Sequence, residues 1–165
     1  MAKYNFKTLP SEIEFIRFND RFLHYHQAYF LLNVNQIDEW ELIQDDSLIS
    51  IENVFFKIYD PYKDEEDYYI LKNSFIKITD NKVTIYSDEK LKVYDVNYKF
   101  KVKQYDDKLQ EFNNKLSYYE SKINLGLNFK ELIDYNAIKK EKFFYSLIRN
   151  FNLVEKKVNK YEKQK

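Results

Sequence analysis

The chain has no cysteine, one glycine, two prolines and three arginines among its 165 residues. The lack of cysteine excludes disulfide bonds, thiol chemistry and cysteine-ligated metal sites. A single glycine excludes the glycine-rich loops that hold phosphate groups, so neither a P-loop nor a dinucleotide-binding fingerprint is present. We therefore predict that the protein uses no cofactor and no metal ion.

Long apolar runs are missing as well. No stretch approaches the roughly 18 apolar residues of a membrane-spanning helix, and the opening MAKYNFKTLPSEIEF has no apolar core of a secretion signal. With 44% hydrophobic residues, the chain still has enough apolar material to form a core. We predict one domain over residues 1–165 that works in the cytoplasm, away from membranes.

Lysine and aromatic residues are abundant instead. All but three of the 27 Lys and Arg residues are lysine, and the chain contains 16 Tyr and 14 Phe. Lysine, tyrosine and phenylalanine have AT-rich codons, so a bias of this kind indicates an AT-rich genome, such as that of a phage, a plasmid or a low-GC bacterium. The excess of lysine and tyrosine is therefore not in itself evidence of a binding site.

The net charge is zero but is unevenly distributed. Residues 1–90 carry 10 basic and 17 acidic side chains, whereas residues 91–165 carry 17 basic and 10 acidic ones. Such a division indicates either a charged partner or attraction within the fold. We favour the internal or incidental interpretation, because runs of charge usually form solvated faces.

The first long element has the periodicity of a helix over residues 11–34. Ser11 and Glu14 follow Pro10 with the spacing of a capping box, which satisfies amide groups in the first helical turn. Apolar residues then recur at steps of three and four, at Phe15, Phe18, Phe22, Tyr25, Tyr29 and Leu32. The pattern predicts an amphipathic helix.

From residue 52 to residue 103 the period shortens to two, which predicts an antiparallel meander of about four strands. The connection at Asp80 and Asn81 is short enough to join antiparallel neighbours. One buried face of the first strand is predicted to hold Val54, Phe56 and Ile58. The last strand alternates apolar residues with charged or polar ones, from Tyr94 and Asp95 to Val102 and Lys103.

Helical periodicity returns with predicted helices over residues 105–124 and 128–161, followed by a frayed end at 162–165. Gly126 lies where a left-handed residue ends a helix, and Asn128 with Glu131 predicts a new N-cap. The predicted fold class is thus α+β, with an N-terminal amphipathic helix, the meander, and two or three C-terminal helices packed on it. One core is expected to contain Phe15, Phe22, Tyr98, Phe100, Phe112, Leu116, Leu147 and Phe151.

Two hypotheses concern chemistry around His24. On a helix, Asp20 and His24 project to one point and form half of a metal site, but the remaining ligands would have to be carboxylates from elsewhere. Arg17 and His24 also have the loose Arg-x4-6-His spacing and in this resemble HEPN-type ribonucleases, which are all-helical and use the two side chains at a phosphate. We expect a solvated Asp–His pair and no catalytic residue.

Two surfaces are candidates for binding. An acidic loop with tyrosines is suited to a basic protein surface, and its residues are Tyr62, Asp64, Glu65, Glu66, Asp67 and Tyr68. Lysines on the last strand and the C-terminal helices are candidates for phosphate contacts, namely Lys92, Lys99, Lys101, Lys103, Lys139 and Lys140. Because base reading relies heavily on arginine, nucleic-acid binding is expected to be weak and unspecific.

Taken together, the features predict a non-enzymatic intracellular protein that binds and occludes a macromolecular partner, expected to be a protein such as a component of a nucleic-acid-processing complex. The coding bias alone suggests the narrower interpretation of a phage or mobile-element accessory protein, for example an inhibitor of a host defence nuclease. Two alternatives are a lysine-rich nucleic-acid-binding protein and a HEPN-like ribonuclease using Arg17 and His24.

Overall fold

The computed structural model describes residues 6–17, 20–43, 46–99 and 102–156, without the side chains of residues 20–22. Its contacts group the chain into two compact units. The barrel unit comprises Met1–Asp95 and Glu155–Lys165, and the hairpin unit comprises Val96–Val154.

The described residues form eight strands and two helices. The strands are β1 (Ser11–Arg17), β2 (Asp20–Asn33), β3 (Glu41–Leu42), β4 (Ser47–Asp60), β5 (Glu65–Thr79), β6 (Lys82–Tyr86), β7 (Tyr94–Val96) and β8 (Leu153–Glu155). The helices are α1 (Lys103–Ile123) and α2 (Phe129–Phe151). No helix of the described residues is both long and apolar enough to cross a membrane.

Five of the strands form a closed barrel. The pairs β1–β2, β2–β4, β4–β5 and β5–β6 are antiparallel, and β6 returns to β1 as a parallel neighbour. An odd number of strands cannot alternate in direction around a whole ring, so one parallel pair must close it. The short strand β3 pairs with β2, and β7 and β8 extend the sheet beyond β5.

Alternate residues of these strands point inward and form the barrel core. Aromatic rings occupy much of it: the Tyr69 ring lies 5.0 Å from Phe15 and 5.2 Å from Phe56, and Phe30 lies 5.1 Å from Phe56, between centroids. Burying each Phe side chain contributes about 1.5–3 kcal/mol relative to leaving it in water. The predicted inward face of β4 is confirmed, because the core includes Val54, Phe56 and Ile58.

The predicted N-terminal helix over residues 11–34 is wrong, and the helix-led α+β fold class falls with it. Strands β1 and β2 occupy this segment and pair with each other. Their inward residues follow a period of two, as at Ile13 and Phe15 in β1 and at Phe30 and Leu32 in β2. The apparent helical stripe arose because two separate strands were counted as one continuous element.

The residues of the supposed capping box pair across strands instead. The Ser11 hydroxyl donates a hydrogen bond to Asn81 Oδ1 at 2.9 Å. The Thr84 hydroxyl donates to Glu14 Oε1 at 3.2 Å, and Glu14 is only 6% exposed. Both partners lie about seventy residues away along the chain. Local spacing therefore suggested a helix start where tertiary contacts built a sheet.

The β5–β6 turn was predicted correctly. Asp80 and Asn81 form a two-residue connection with φ values of +50° and +61°. Two successive left-handed residues are typical of a type I′ hairpin, whose twist suits antiparallel strands. Asn and Asp tolerate this backbone region better than other residues with a Cβ atom.

The predicted last strand is shorter than expected. It ends at Val96, and the chain then turns through Tyr98, which is 90% exposed rather than in the core. Of the other residues predicted to share one core, Phe15 is buried in the barrel unit, Phe112, Leu116 and Leu147 are buried in the hairpin unit, and Phe151 is half-buried. Phe100 and the side chain of Phe22 lie outside the described residues.

The hairpin unit consists mainly of the antiparallel helices α1 and α2. Their bounds are close to the predicted helices over 105–124 and 128–161, except at the end of α2. Arg149 near the end of α2 donates from Nε to Asp106 Oδ1 in the first turn of α1, at 2.9 Å. Helix α2 ends ten residues before predicted position 161, because Asn152 adopts a left-handed cap with φ +52° and β8 follows. The frayed end predicted at 162–165 lies outside the described residues.

Candidate functional site

The β4–β5 hairpin divides the predicted acidic and tyrosine-rich surface into outward and inward parts. Tyr62 is 76% exposed, and Asp64 and Glu65 are exposed beside it. Asp60 orders the turn, since its Oδ1 accepts the amide hydrogens of Tyr62 and Lys63 at 2.9 and 3.2 Å. The outward part is therefore a defined turn in reach of a partner.

Glu66 and Tyr68 belong to the inward part. The Lys57 ammonium lies 2.8 Å from Glu66 Oε1, and these side chains are 3% and 9% exposed. The Trp40 ring covers the ammonium with its centroid 4.3 Å from Nζ, and the Tyr68 hydroxyl donates to Glu66 Oε2 at 2.9 Å. The fold accommodates a buried pair of this kind while both charges are present, but removing one partner leaves an uncompensated buried charge and destabilises the fold. Both side chains are thus engaged in contacts within the barrel unit.

Asp67 is likewise engaged within the barrel unit. The Tyr25 hydroxyl donates to Asp67 Oδ2 at 2.7 Å and lies 2.5 Å from the Tyr69 hydroxyl. Lys156 donates to Asp67 Oδ1 at 2.6 Å. Burial raises the pKa of Tyr25 well above its ordinary value, and the charges of Tyr69 and Asp67 raise it further. Burial and Asp67 also raise the pKa of Tyr69. Both phenols therefore stay protonated near neutral pH.

The lysines proposed to contact phosphates do not share one strand face. Lys92 pairs with Glu155 at 3.1 Å, and Lys99 lies in the turn after β7. Lys103 begins α1, and Lys139 on α2 places its Nζ 5.3 Å from the Tyr135 ring centroid. Lys140 follows on α2, and Lys101 lies outside the described residues. The strand that was predicted to align Lys92, Lys99, Lys101 and Lys103 ends at Val96.

His24 lies on β2, whereas Arg17 lies on β1. The helix presupposed by the HEPN-like spacing is therefore absent from this segment. His24 Nε2 lies 2.8 Å from Glu12 Oε1, and the His26 ring packs edge-on at a centroid distance of 4.3 Å. The side chain of Asp20 lies outside the described residues. Within the described part of the chain, no group of three or more His, Asp or Glu residues is placed to hold a metal ion.

Exposed apolar side chains concentrate at the turn between α1 and α2. We call them the apolar tip: Ile123, Leu125, Phe129, Leu132 and Ile133, which are 47%, 84%, 79%, 45% and 51% exposed. The segment from 123 to 129, INLGLNF, has no charged residue in a chain that is 33% charged. Clustered apolar exposure and local absence of charge mark interaction sites more often than ordinary surface.

The turn beneath the apolar tip has a defined backbone. The Leu125 amide donates to the Lys122 carbonyl at 2.9 Å, and the Gly126 amide donates to the Ile123 carbonyl at 3.1 Å. Gly126 has φ +88°, which confirms the predicted left-handed residue. A side chain at this position would have open space around it, but the backbone angle itself would be strained.

The start of α2 is fixed by the predicted cap, which is confirmed. The Glu131 amide donates to Asn128 Oδ1 at 2.9 Å, and the Asn128 amide donates to Glu131 Oε2 at 3.1 Å. Lys122 of α1 donates to Glu131 Oε1 at 2.5 Å. This hydrogen bond, with that from the Asn128 amide, lowers the pKa of Glu131. The apolar tip is therefore held before any partner binds, which reduces the entropy lost on binding.

Sequence reasoning missed the apolar tip, although a signal for it exists. Helix α2 has apolar residues on two sides, and a helix packed against a single partner helix needs only one. Tyr135 and Tyr145 meet rings on α1, at centroid distances of 6.2 Å from Tyr119 and 5.4 Å from Phe112. Phe129 lies on the other side of the helix, so counting both sides would have shown that one apolar side lies away from α1.

Comparisons with known proteins match both units. The family model described as UU051 N-terminal domain matches residues 12–92, and the model described as Uncharacterised protein UU051 C-terminal domain matches residues 106–156. A protein from Ureaplasma parvum serovar 3, described as Uncharacterized protein UU051, is 29% identical over 133 residues, or 76% of each chain. The chain is therefore similar to UU051 proteins across its barrel and hairpin units alike.

Proposed function

We propose that this protein is a non-enzymatic interaction protein that docks its apolar tip against an apolar surface of a protein partner. The observation that carries the proposal is the exposure of five apolar side chains, between 45% and 84%, on a turn fixed by hydrogen bonds. Side chains of this size and exposure leave on the order of 500 Å² in contact with water.

The size of this surface sets the strength to expect. Covering about 500 Å² of apolar surface favours association by on the order of 10 kcal/mol before costs. Lost translational and rotational freedom alone costs about 4–15 kcal/mol. The apolar tip therefore supports binding of moderate strength, and tight binding needs further contacts around it.

The chemistry of the apolar tip favours a protein over a nucleic acid. Nucleic-acid binding depends on cations placed against phosphates, and no charged residue occurs from Ile123 to Phe129. Lys122, the nearest preceding lysine, is paired with Glu131 at 2.5 Å. An apolar groove on a protein fits this surface better than a phosphate backbone does.

The β4–β5 turn supports the same function by a different chemistry. Tyr62, Asp64 and Glu65 project from an ordered turn and are suited to a basic protein surface. Tyrosine is among the residues that contribute most binding energy at protein interfaces. The narrower role of inhibiting a host defence nuclease stays a prediction from coding bias.

Site-specific photo-cross-linking tests the proposal. A photoreactive phenylalanine derivative replaces Leu125 in one chain and Tyr98 in a control chain, since both positions are exposed and lie in the hairpin unit. Irradiation in the source cells is expected to yield one discrete protein adduct from position 125, which mass spectrometry identifies. Position 98 is expected to give no discrete adduct.

Titration with the identified partner, purified, then measures the contribution of the apolar tip. The double variant L125S/F129S is expected to weaken binding at least 100-fold, while Y98S binds like the unchanged chain. Helix content measured by circular dichroism checks that the variants stay folded. Three results would each overturn the proposal. They are adducts with nucleic acid at position 125, equal adducts at positions 125 and 98, and unchanged affinity of L125S/F129S for the partner.

A further inference from the structure

We infer that residues 48–51 of β4 bind an extended segment of a partner protein, which joins the sheet as an added strand and carries basic residues at both of its ends. We call these four residues, Leu48, Ile49, Ser50 and Ile51, the β4 edge. The β4 edge lies in the barrel unit. This inference therefore concerns a second surface and does not depend on the apolar tip.

Strand β4 is longer than the strands that cover it. One side of β4 pairs with β5 from Ser47 to Asp60. On the other side, β2 pairs with β4 only from Phe55 to Tyr59. Among the residues that the structure describes, the β4 edge therefore has β5 as its sole strand neighbour.

The β4 edge is left uncovered because the chain turns away at the end of β2. Asn33, the last residue of β2, donates from Nδ2 to the carbonyls of Ile37 and Glu39 at 2.5 and 3.1 Å. The Gln36 amide donates back to Asn33 Oδ1 at 2.8 Å. These bonds close a compact loop where β2 would otherwise continue. Strand β2 thus ends opposite Phe55, and β4 runs on without it.

An uncovered strand offers backbone groups at the spacing of another strand. In an antiparallel pair, every second residue directs both its N–H and its C=O away from the partner strand. The four residues of the β4 edge therefore present about two donors and two acceptors on the side away from β5, over roughly 13 Å. An extended peptide pairs with such groups through its own main chain.

The side chains of the β4 edge also favour an added strand. Leu48 is 67% exposed and Ile51 is 40% exposed. They lie on opposite faces of β4, so one added strand covers both. Natural edge strands often carry lysine or proline, which discourage pairing with another chain. The β4 edge has neither.

Charge at both ends of the β4 edge selects the occupant. The surrounding sequence, IQDDSLISIENV, has three acidic residues and no basic one. Asp46 is exposed just before the β4 edge, and Glu52 is exposed just after it. An added strand lies about 5 Å from β4 and about 10 Å from β5, which carries Lys72 and Lys77. The nearer charges are acidic, so a segment with basic ends fits best.

The same charges disfavour a second copy of this chain as the occupant. Two β4 edges pair antiparallel about a two-fold axis, which sets the Asp46 end of one copy against the Glu52 end of the other. In the register centred on Ser50, Leu48 of each copy lies opposite Glu52 of the other. Like charges placed together oppose such a pairing. A different protein with an extended basic segment avoids this repulsion.

Titration with a synthetic peptide tests the inference. The probe is the capped peptide KTVTVTK, whose β-branched residues favour an extended chain between two lysines. It is added to the isotope-labelled full chain up to about 1 mM, and nuclear magnetic resonance follows each amide. The expected dissociation constant is about 10–500 μM, because a short edge buries little area. Hydrogen exchange is expected to slow at alternate amides of the β4 edge.

Two further peptides separate the parts of the inference. ETVTVTE keeps the backbone and reverses the charge, and it is expected to bind at least tenfold more weakly. KTVTVTK with N-methyl groups on its internal amides lacks the donors for a ladder and is expected not to bind measurably. Equal binding of ETVTVTE would contradict the choice of a basic segment. Equal binding of the methylated peptide would contradict strand addition.

Variants of the chain locate the contact. L48K/I51K adds two charges of the kind that protect natural edges and is expected to weaken binding of KTVTVTK at least tenfold. Y98K/L125K adds the same charge at exposed positions of the hairpin unit and is expected to bind the peptide like the unchanged chain. Circular dichroism checks that both variants stay folded.

Three results would each overturn the inference. They are no change at the amides of the β4 edge up to about 1 mM peptide, unchanged affinity of folded L48K/I51K, and a dimer of this chain that L48K/I51K abolishes. The last result would make a second copy the occupant. L125S/F129S is expected to bind KTVTVTK normally, so the proposed function can fail while this inference holds, and the reverse.

Discussion

The barrel unit and the hairpin unit differ in how far they bury their apolar side chains. In the barrel unit, a closed ring of strands encloses residues such as Phe15, Phe56 and Tyr69, each 0% exposed. In the described residues of the hairpin unit, the buried apolar side chains are Phe112, Leu116, Leu147, Ile148 and Leu153, while the apolar tip faces water. A ring has an interior, whereas two helices have one shared face. The barrel unit therefore encloses a core, whereas the hairpin unit leaves apolar side chains exposed at one end.

The two units also differ in how they use charge. The barrel unit buries the Lys57–Glu66 pair beneath the Trp40 ring. The hairpin unit has pairs at the surface, as where Glu111 lies 2.8 Å from Lys108 and 2.7 Å from Lys115. Exposed pairs contribute at most about 1 kcal/mol, because water screens them. Breaking a buried pair costs several times more.

The largest expected effect comes from emptying the barrel core. Phe56→Ala is expected to lower the free energy of unfolding by about 3–5 kcal/mol, because the barrel cannot collapse around the space. Phe112→Ala in the hairpin unit is expected to cost less, because Phe112 is already 8% exposed whereas Phe56 is 0% exposed. Urea unfolding measures both variants. Equal losses would contradict the contrast between the units.

The same unfolding curves test the prediction of one domain over residues 1–165. Trp40, the single tryptophan, lies in the barrel unit, while both helices lie in the hairpin unit. Tryptophan fluorescence and far-ultraviolet circular dichroism therefore follow different units. Coincident transitions would support one cooperative domain, and separate transitions would show two.

Removing one charge from the buried Lys57–Glu66 pair is expected to cause the next largest loss in the free energy of unfolding. Lys57→Met leaves Glu66 buried without its ammonium partner and is expected to cost about 3 kcal/mol. Adding Glu66→Leu removes the stranded carboxylate and is expected to recover much of the loss. The matched surface variant Lys115→Met is expected to cost less than about 0.5 kcal/mol. A small loss in Lys57→Met would show that water reaches the pair.

A smaller effect is expected at the cap below the apolar tip. Asn128→Ala removes the acceptor for the Glu131 amide and is expected to cost about 1 kcal/mol. Asn113→Ala, at an exposed position within α1, serves as the control and is expected to be neutral or slightly stabilising. Helix content and thermal unfolding report both. Equal stability of the two variants would show that Lys122 alone holds the start of α2.

Local signals predicted the hairpin unit better than the barrel unit. Gly126 and the Asn128–Glu131 cap act through contacts within four residues, so spacing along the chain revealed them. The Asp80–Asn81 turn is local in the same sense. The apolar tip was missed because a stripe of apolar residues does not tell which of two helix sides will find a partner.

The barrel escaped prediction because its closure is not local. Glu14 lies opposite Thr84 in the parallel β1–β6 pair and opposite His24 in β1–β2, and the first of these contacts joins distant parts of the chain. In isolation, Ser11 with Glu14 has the spacing of a helix cap, and the phenylalanines that follow it can be counted at helical steps. Only the pairing with β6 makes a period of two the better description, and no short window of sequence contains that pairing.

Alkaline conditions are expected to act mainly on the barrel unit. Tyr25 and Tyr69 have pKa values raised by burial, so they keep their protons at a pH where an unfolded chain loses them. The free energy of unfolding should therefore fall as the pH rises above the ordinary tyrosine pKa. Urea unfolding at about pH 9 and about pH 11, two values on either side of that pKa, measures the loss of free energy. The double variant Y25F/Y69F is expected to show a shallower loss.

Acid conditions are expected to lower the free energy of unfolding through carboxyl groups of the hairpin unit. This is the smallest of the effects expected here. Hydrogen bonds from Lys122 and from the Asn128 amide lower the pKa of Glu131, and those from Lys108 and Lys115 lower the pKa of Glu111 to about 2. A carboxyl with a lowered pKa stabilises the fold above its unfolded pKa and loses that contribution as the pH falls through the folded value.

Carboxyl titration by nuclear magnetic resonance measures this effect directly. Lys122→Met is expected to raise the midpoint of Glu131 toward the ordinary glutamate value, because the ammonium that donates to Oε1 is gone. Lys130→Met neutralises a neighbouring lysine that does not supply this hydrogen bond, and it is expected to leave the midpoint nearly unchanged. Equal shifts in the two variants would mean that general charge, rather than the link between α1 and α2, sets the ionisation of Glu131. The apolar tip would then lack one of the contacts that fix its geometry.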